Sequence, residues 1–254
     1  DHRDLHSFPT RRSSDLYKTT IYGNEIYLGF IHILSLGEKL AASIEEARAA
    51  EGGFSDLNDF VTRMCPGLEE LILLIRAGAF SFTGKRKAVL LWEAHMMVNG
   101  KKKEKIRPLF RQPVREFTLP DLNHETLDDA YDEIELFGFP VSVSWFDMLE
   151  TSFRGEVMAR DLLKHTGKKV RMTGHLVTIK YIRTVKHEWM NFGCFIDAEG
   201  SFFDTTHFPQ SLKDYPFRGG GTYLILGKVV EEYGFPSVEV EKLAKLPVKP
   251  DKRY

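Results

Sequence analysis

At Lys168 the spacing of apolar residues changes, and that change constrains the fold more than any other feature of the chain. Before it, apolar residues recur at the three- and four-residue spacing of helices; after it they alternate. Val170, Met172, Gly174, Leu176 and Thr178 are expected on one face of a strand, with Arg171, Thr173, His175 and Val177 on the other. Further strands are expected over Trp189 to Asp197, Phe202 to Phe208, Thr222 to Val230 and Val238 to Leu243. Turns at Glu199-Gly200, Gly219-Gly220-Gly221 and Gly234-Phe235-Pro236 separate them. About five short strands in roughly 75 residues predict a small five-stranded closed β-barrel. A helical part followed by such a barrel makes an α+β chain of two domains.

The stretch from Tyr17 to Asn99 reads as helical throughout. Leu36-Gly37-Glu38 is a tight turn, and the helix after it runs from Lys39 to Arg48, with Leu40, Ile44 and Ala47 on one face. Gly52-Gly53 ends it. Ser55 is expected to cap a short helix from Asp56 to Met64, and Pro66-Gly67 breaks the chain. A third helix covers Leu68 to Ala77 and closes at Gly78, and a fourth covers Arg86 to Met97. An acidic helix from Leu127 to Phe137 ends at Gly138.

Between these parts, Gly100-Lys-Lys-Lys-Glu-Lys-Ile-Arg107 and the prolines at 108, 113 and 120 mark a linker. The expected organisation is a helical domain over 17–100, a linker over 101–125, a helical connection over 126–165 and the barrel over 166–254. Residues 1–16 are set apart. They show neither period and no apolar signal core, and their acids argue against a transit peptide. They are what a common sequencing-library adapter encodes. They are therefore expected to be disordered and foreign to the protein, whose own chain would continue upstream of Tyr17.

Composition excludes several classes. The chain is 43% hydrophobic and 28% charged, which is ordinary for a globular protein. No apolar run reaches the length of a membrane span. Two cysteines, Cys65 and Cys194, fit a reducing cytoplasm. The net charge of −1 hides an asymmetry: Glu116 to Glu150 is acidic, and from Thr151 there are about five more basic than acidic residues.

Two constellations point to nucleic acid. In Leu34-Ser35-Leu36-Gly37-Glu38, a helix, a hairpin ending in glycine and a helix starting there would aim backbone N–H groups at a phosphate, without sequence preference. A plain αα-hairpin inside a bundle has the same spacing. Ser35, Leu36, Gly37, Glu38 and Lys39 are the candidates, and Lys85 and Arg86, after Thr83-Gly84, offer a second phosphate contact. In the barrel, Lys180, Tyr181, Arg183, Lys186, Trp189, Phe192, Phe203 and Phe208 interleave cations with aromatics, the pattern of a groove that stacks single-stranded bases. The candidates are Lys180, Arg183, Lys186, Trp189 and Phe192, with Lys180, Arg183 and Lys186 expected in a strand-to-strand loop. Filling of the barrel interior would demand aromatics equally well.

These segments also resemble a known family. Tyr27-Leu-Gly-Phe-Ile-His-Ile-Leu-Ser-Leu-Gly-Glu38, Gly53-Phe-Ser-Asp-Leu-Asn-Asp-Phe60, Leu68-Glu69 and Leu74-Ile-Arg-Ala-Gly-Ala-Phe80 are similar to the tandem helix-hairpin-helix region of the bacterial DNA polymerase III alpha subunits. Glu135-Leu-Phe-Gly-Phe-Pro-Val-Ser142, Thr184-Val-Lys-His-Glu-Trp-Met-Asn-Phe192, Asp197 and Phe208-Pro209 resemble the same family's OB-fold barrel and the segment leading into it. The chain departs at the hairpin, where Leu34-Ser35 stands for the usual Lys-Gly. It departs again in the barrel, with one extra residue before Lys186 and His187 where glycine is usual. The resemblance implies a tandem helix-hairpin-helix domain followed by an OB-fold. It also implies a cytoplasmic bacterial DNA polymerase (a nucleotidyltransferase) as the parent, and primer-template duplex, single-stranded template and the other holoenzyme subunits as partners. It puts the catalytic aspartates and their magnesium in a palm upstream of this region.

Catalytic chemistry finds no support in the residues themselves. His187, Cys194 and His207 lack paired ligand spacing, and Asp128, Asp129 and Asp132 read as a solvated helix face, although acids also bind magnesium. The region alone is expected to bind DNA, to need no cofactor and to polymerise nothing. An error-prone paralogue of the same family and a freestanding, non-enzymatic single-strand-binding module are the alternatives.

Overall fold

The structure, a computed structural model, describes residues 17–98 and 126–253. The segment 1–16 and the linker 101–125 lie outside these. The described chain forms two units: one takes the residues up to Ser142 together with 251–253, the other is Val143–Pro250. The stretch 126–165, read above as one helical connection, is divided between them.

The first unit opens with a hairpin the helical reading missed. Strands β1 (Thr20–Tyr22) and β2 (Glu25–Tyr27) pair antiparallel, Ile21 opposite Ile26. The signal was present: β-branched and aromatic residues flank a two-residue Gly23-Asn24 turn, and Gly23 takes φ +59°. A single 3-10 turn, Phe30–His32, then precedes α1 (Glu38–Glu51), whose N-cap is Gly37 and whose C-cap is Gly52. The element before the hairpin is thus one short turn and not a helix.

Helix α2 (Leu57–Met64) is capped by Asp56, not Ser55: the Asp56 carboxylate accepts the Asp59 N–H at 2.8 Å, while the Ser55 hydroxyl donates to Asp56. Both side chains suit a cap, but an ionised carboxylate is the stronger acceptor. Helix α3 (Leu68–Arg76) ends where Gly78 turns left-handed at φ +80°, with the Gly78 N–H donating to Ile75 O and the Ala79 N–H to Leu74 O. Those paired bonds satisfy carbonyls the helix end would otherwise leave open. Helices α4 (Lys87–Val98) and α5 (Thr126–Phe137) complete the unit. Its core gathers Ile44, Leu57, Leu71, Leu74 and Ile75 around Phe54, Phe60 and Phe80, whose rings meet edge to face at 4.9 and 5.0 Å.

The acids of α5 are not a merely solvated face. Asp129 pairs with Lys87 at 2.6 Å, and Asp132 and Glu135 pair with Arg76 and Arg253. Glu133 is buried, accepting from the Val141 and Ser142 amides.

The second unit is a closed barrel in the order β3-β4-β5-β7-β6: β3 (Lys169–Arg183), β4 (Trp189–Ile196), β5 (Phe202–His207), β6 (Thr222–Glu232) and β7 (Phe235–Lys245). All neighbours are antiparallel except β5 and β7, which run parallel. Five strands with this single parallel closure make an OB-fold. Helix α6 (Pro209–Asp214) follows β5, with Phe208 as N-cap and Pro209 in the first turn, where its missing N–H costs nothing. The core is built on Met172, Phe195, Phe203, Tyr223, Ile225, Val229 and Val238.

The alternation expected along β3 holds only in part. A bulge between Leu176 and Thr178 shifts the register, so Val177 and Thr178 are both exposed and neither face continues unbroken. The strand also runs further than expected, and Lys180 and Arg183 belong to it rather than to a loop.

Candidate functional site

Strand parity sorts the barrel candidates. Pairs opposite each other in register share a face, and Phe195, Phe203 and Thr205 fix which face is interior, because all three are buried. On that interior side lie Asn191, His207 and, past the barrel's rim, Trp189, Tyr181 and Arg183. On the outer side lie Lys180, Phe192, Cys194, Asp204 and Thr206. Trp189 and Phe192 are three residues apart in one strand and so face opposite ways; they do not form one platform.

The structure brings together two pairs. The Arg183 guanidinium lies over the Trp189 ring at 4.6 Å from its centroid, and Trp189 remains 55% exposed. Lys180 stands opposite Phe192, which is 40% exposed. Lys186 is exposed in the turn 184–188. Of the other interleaved aromatics, Phe203 is core, and Phe208 is partly exposed at the α6 cap.

The same register exposes residues the sequence reading passed over. Phe202 shares the outer face with Phe192, and Phe235 joins them, two residues before Ser237 on β7, which pairs with Asp204. Phe202 is 64% and Phe235 78% exposed. Tyr233 stands fully out at the β6–β7 turn. The outer face of β4, β5 and β7 therefore carries three exposed phenylalanines, Phe202 and Phe235 at one end and Phe192 four residues further along β4. Phe202-Phe203 held the clue, since adjacent strand residues cannot both face inward. Asp204 lies on this face too. Burial, and then the Asp204 carboxylate beside it, raises the Cys194 thiol above its usual range. Phosphate contacts on this side fall to Lys180 and Lys186.

Inside the barrel, His207 is buried, its Nε2 2.9 Å from Thr205 Oγ1 and its Nδ1 without a partner. Burial pushes its pKa down to about 4. His175 stacks on Trp145 at 4.6 Å and is lowered to about 4 by burial and then by Lys245. His187, Cys194 and His207 lie in a turn, on the outer face and in the interior, and do not converge. Among the described residues no three His, Cys, Asp or Glu are placed to hold a metal, so no step through magnesium is derived for this region. Asp197, part of the family-like pattern, has a structural part: its buried carboxylate accepts the Ala159, Glu199 and Ser201 amides at 2.8 to 2.9 Å.

In the helical unit, Ser35, Gly37, Glu38 and Lys39 are exposed at the start of α1, where first-turn amides lack intrahelical partners. The Leu36 side chain enters the core, and its N–H donates to Ile33 O at 3.2 Å, so it does not face a phosphate. Glu38 places a carboxylate at this end, which suits the helix dipole but opposes a phosphate. Lys85 and Arg86 are exposed at the start of α4, and Lys85 Nζ is paired with Glu93 Oε1 at 2.5 Å. A phosphate there would compete with that carboxylate.

Both departures from the family-like glycines fall on left-handed backbone. Ser35 has φ +67° and His187 φ +61°, a region that costs an L-residue about 1 kcal/mol or more. We expect Ser35→Gly and His187→Gly each to stabilise its unit by about 0.5–1 kcal/mol. Denaturant midpoints that fall would show that both side chains contribute contacts outweighing the strain.

The fold and these surfaces define a class: a helix-hairpin-helix region joined to an OB-fold barrel. A model of the helix-hairpin-helix motif family matches residues 11–90, a match that begins inside the N-terminal stretch set apart above. More particularly, the chain is similar to a bacterial DNA polymerase III alpha subunit. It is 27% identical over 197 residues to DNA polymerase III subunit alpha of Aquifex aeolicus (strain VF5), covering 76% of this chain and 16% of that protein. The chain thus spans about a sixth of that relative's length. Among solved structures it is similar to the second OB-fold domain of replication protein A from Methanococcus maripaludis, at 12% identity and TM-score 0.24, over 34% of this chain and 91% of that one. No helix among the described residues is long and apolar enough to cross a membrane.

Proposed function

We propose that this region is the DNA-handling part of a bacterial family C polymerase alpha subunit, with the helical unit on primer-template duplex and the barrel on single-stranded template. The observation that carries the reading is the exposure of Phe192, Phe202 and Phe235 on the barrel's outer face, with Lys180 opposite Phe192 and Lys186 exposed in the β3–β4 turn. Exposed aromatics gathered on one face cost solubility and bring no packing; stacked under bases they bind any sequence. The basic start of α4, with exposed Lys85 and Arg86, offers the helical unit a sequence-independent phosphate contact. In this reading the parent protein polymerises deoxynucleoside triphosphates with magnesium in its palm, in a cytoplasmic holoenzyme, and residues 17–254 alone polymerise nothing.

The test is binding of this chain to oligo-dT across a salt series. Each single-strand phosphate neutralised contributes about −0.7 to the log–log slope. With Lys180 and Lys186 engaged, a slope of about −1.4 is expected. A slope near zero would remove the barrel from the DNA.

A further inference from the structure

Helix α5 grips the chain at both places where it passes between the two units. At the first crossing, buried Glu133 Oε2 accepts the Val141 N–H at 2.6 Å, the Ser142 N–H at 2.8 Å and the Ser142 hydroxyl at 3.0 Å. At the second, Arg253 Nη1 donates to Asp132 Oδ1 at 2.5 Å, and Nη2 to Glu135 Oε1 and Asp251 Oδ2 at 2.7 Å each. The Arg253 guanidinium also lies 5.7 Å from the Tyr131 ring centroid.

Asp132 and Glu135, three apart on one helix face, are shared with Arg76 of α3. The second crossing is thereby fastened to the helical core through a network of two arginines and three carboxylates. With side chains 18% and 14% exposed, Arg253 and Asp132 are shielded from much of the screening that weakens surface pairs.

We infer that α5 is a clamp that keeps the barrel on two tethers, and that the second tether lets both units engage one DNA molecule together. The inference rests on the DNA-binding reading above. The physical reason is effective concentration: two linked modules bind one target best when the linkage restricts the second module's search. Without Arg253, the second crossing loses its ion pairs to Asp132 and Glu135 while the bonds of Glu133 at the first remain.

The test uses the whole chain with Cys65→Ser and Cys194→Ser, and spin labels on Glu46→Cys in α1 and Lys242→Cys in β7, both exposed positions. Arg253→Ala should broaden the distribution of distances between the labels. Arg253→Lys, which keeps the charge but loses the planar fork, should broaden it less. On labelled DNA, Arg253→Ala should weaken binding to a primer-template with a single-stranded overhang by about three- to tenfold. Duplex alone and oligo-dT alone should bind within about twofold of the parent. An unchanged distance distribution overturns the clamp. A broadened one with unchanged primer-template affinity overturns its part in joint binding. Should the parent chain bind none of the three DNAs, the DNA reading fails, and the distance distribution still decides the clamp.

Discussion

Alanine at Phe192, Phe202 or Phe235 is expected to weaken oligo-dT binding by about 1–3 kcal/mol each, or roughly 5- to 150-fold. The triple variant should bind oligo-dT too weakly to measure. All three rings are exposed, so each change should shift the barrel's unfolding free energy by no more than about 0.5 kcal/mol. Phe203→Ala is the contrast. That ring is buried against Phe195, their centroids 5.6 Å apart, and its loss should cost about 3–5 kcal/mol of stability while the folded fraction binds as before. Fluorescence anisotropy and thermal unfolding on the same samples separate the two effects. If Trp189→Ala alone abolishes binding and the three phenylalanines are silent, the strand crosses the Arg183–Trp189 side of the β3–β4 hairpin instead.

The barrel should also lose stability on mild acidification, before its carboxylates titrate. His207 is buried and neutral, with a folded-state pKa of about 4 against 6.5 in the unfolded chain. A depressed histidine pKa means the unfolded state binds the proton first. The contribution is full above pH 6.5 and drains away as pH falls toward 4. Each pH unit in that window removes about 1.4 kcal/mol, so pH 5 should cost about 2 kcal/mol through His207 alone. His175 has the same sign and a smaller share, since it is only half-buried. His207→Gln should flatten the slope between pH 6.5 and 5. A barrel whose unfolding free energy is level over that range would mean that His207 finds a partner for its imidazolium.

Much of the architecture was legible without coordinates, for local reasons. Left-handed ends at Gly52, Gly78 and Gly138 read directly, because φ near +80° suits glycine alone among common residues. The period of two after Lys168 gave the five strands and the closed barrel, since a half-buried strand has no other pattern. The β1–β2 hairpin was equally legible and was overlooked through its brevity, three residues a side.

The rest depended on contacts that no local pattern encodes. Whether an aromatic faces in or out turns on parity, and the bulge before Thr178 resets that parity halfway along β3. Trp189 and Phe192, three apart on β4, face opposite ways whatever happens on β3, while the register across β5 and β7 brings Phe202 and Phe235, 33 positions apart by their numbers, to one face. The acids of α5 looked solvated because their partners are remote: Arg76 reaches Asp132 across 56 positions and Arg253 across 121. The sequence by itself determined the helices from α1 onward, most of their glycine stops and the five strands of the barrel, because backbone sterics and side-chain period act within a few residues. Only the tertiary structure decided which aromatics are offered to a ligand and which charges hold the chain crossings, because barrel register and long-range ion pairing exist only once the chain has closed on itself.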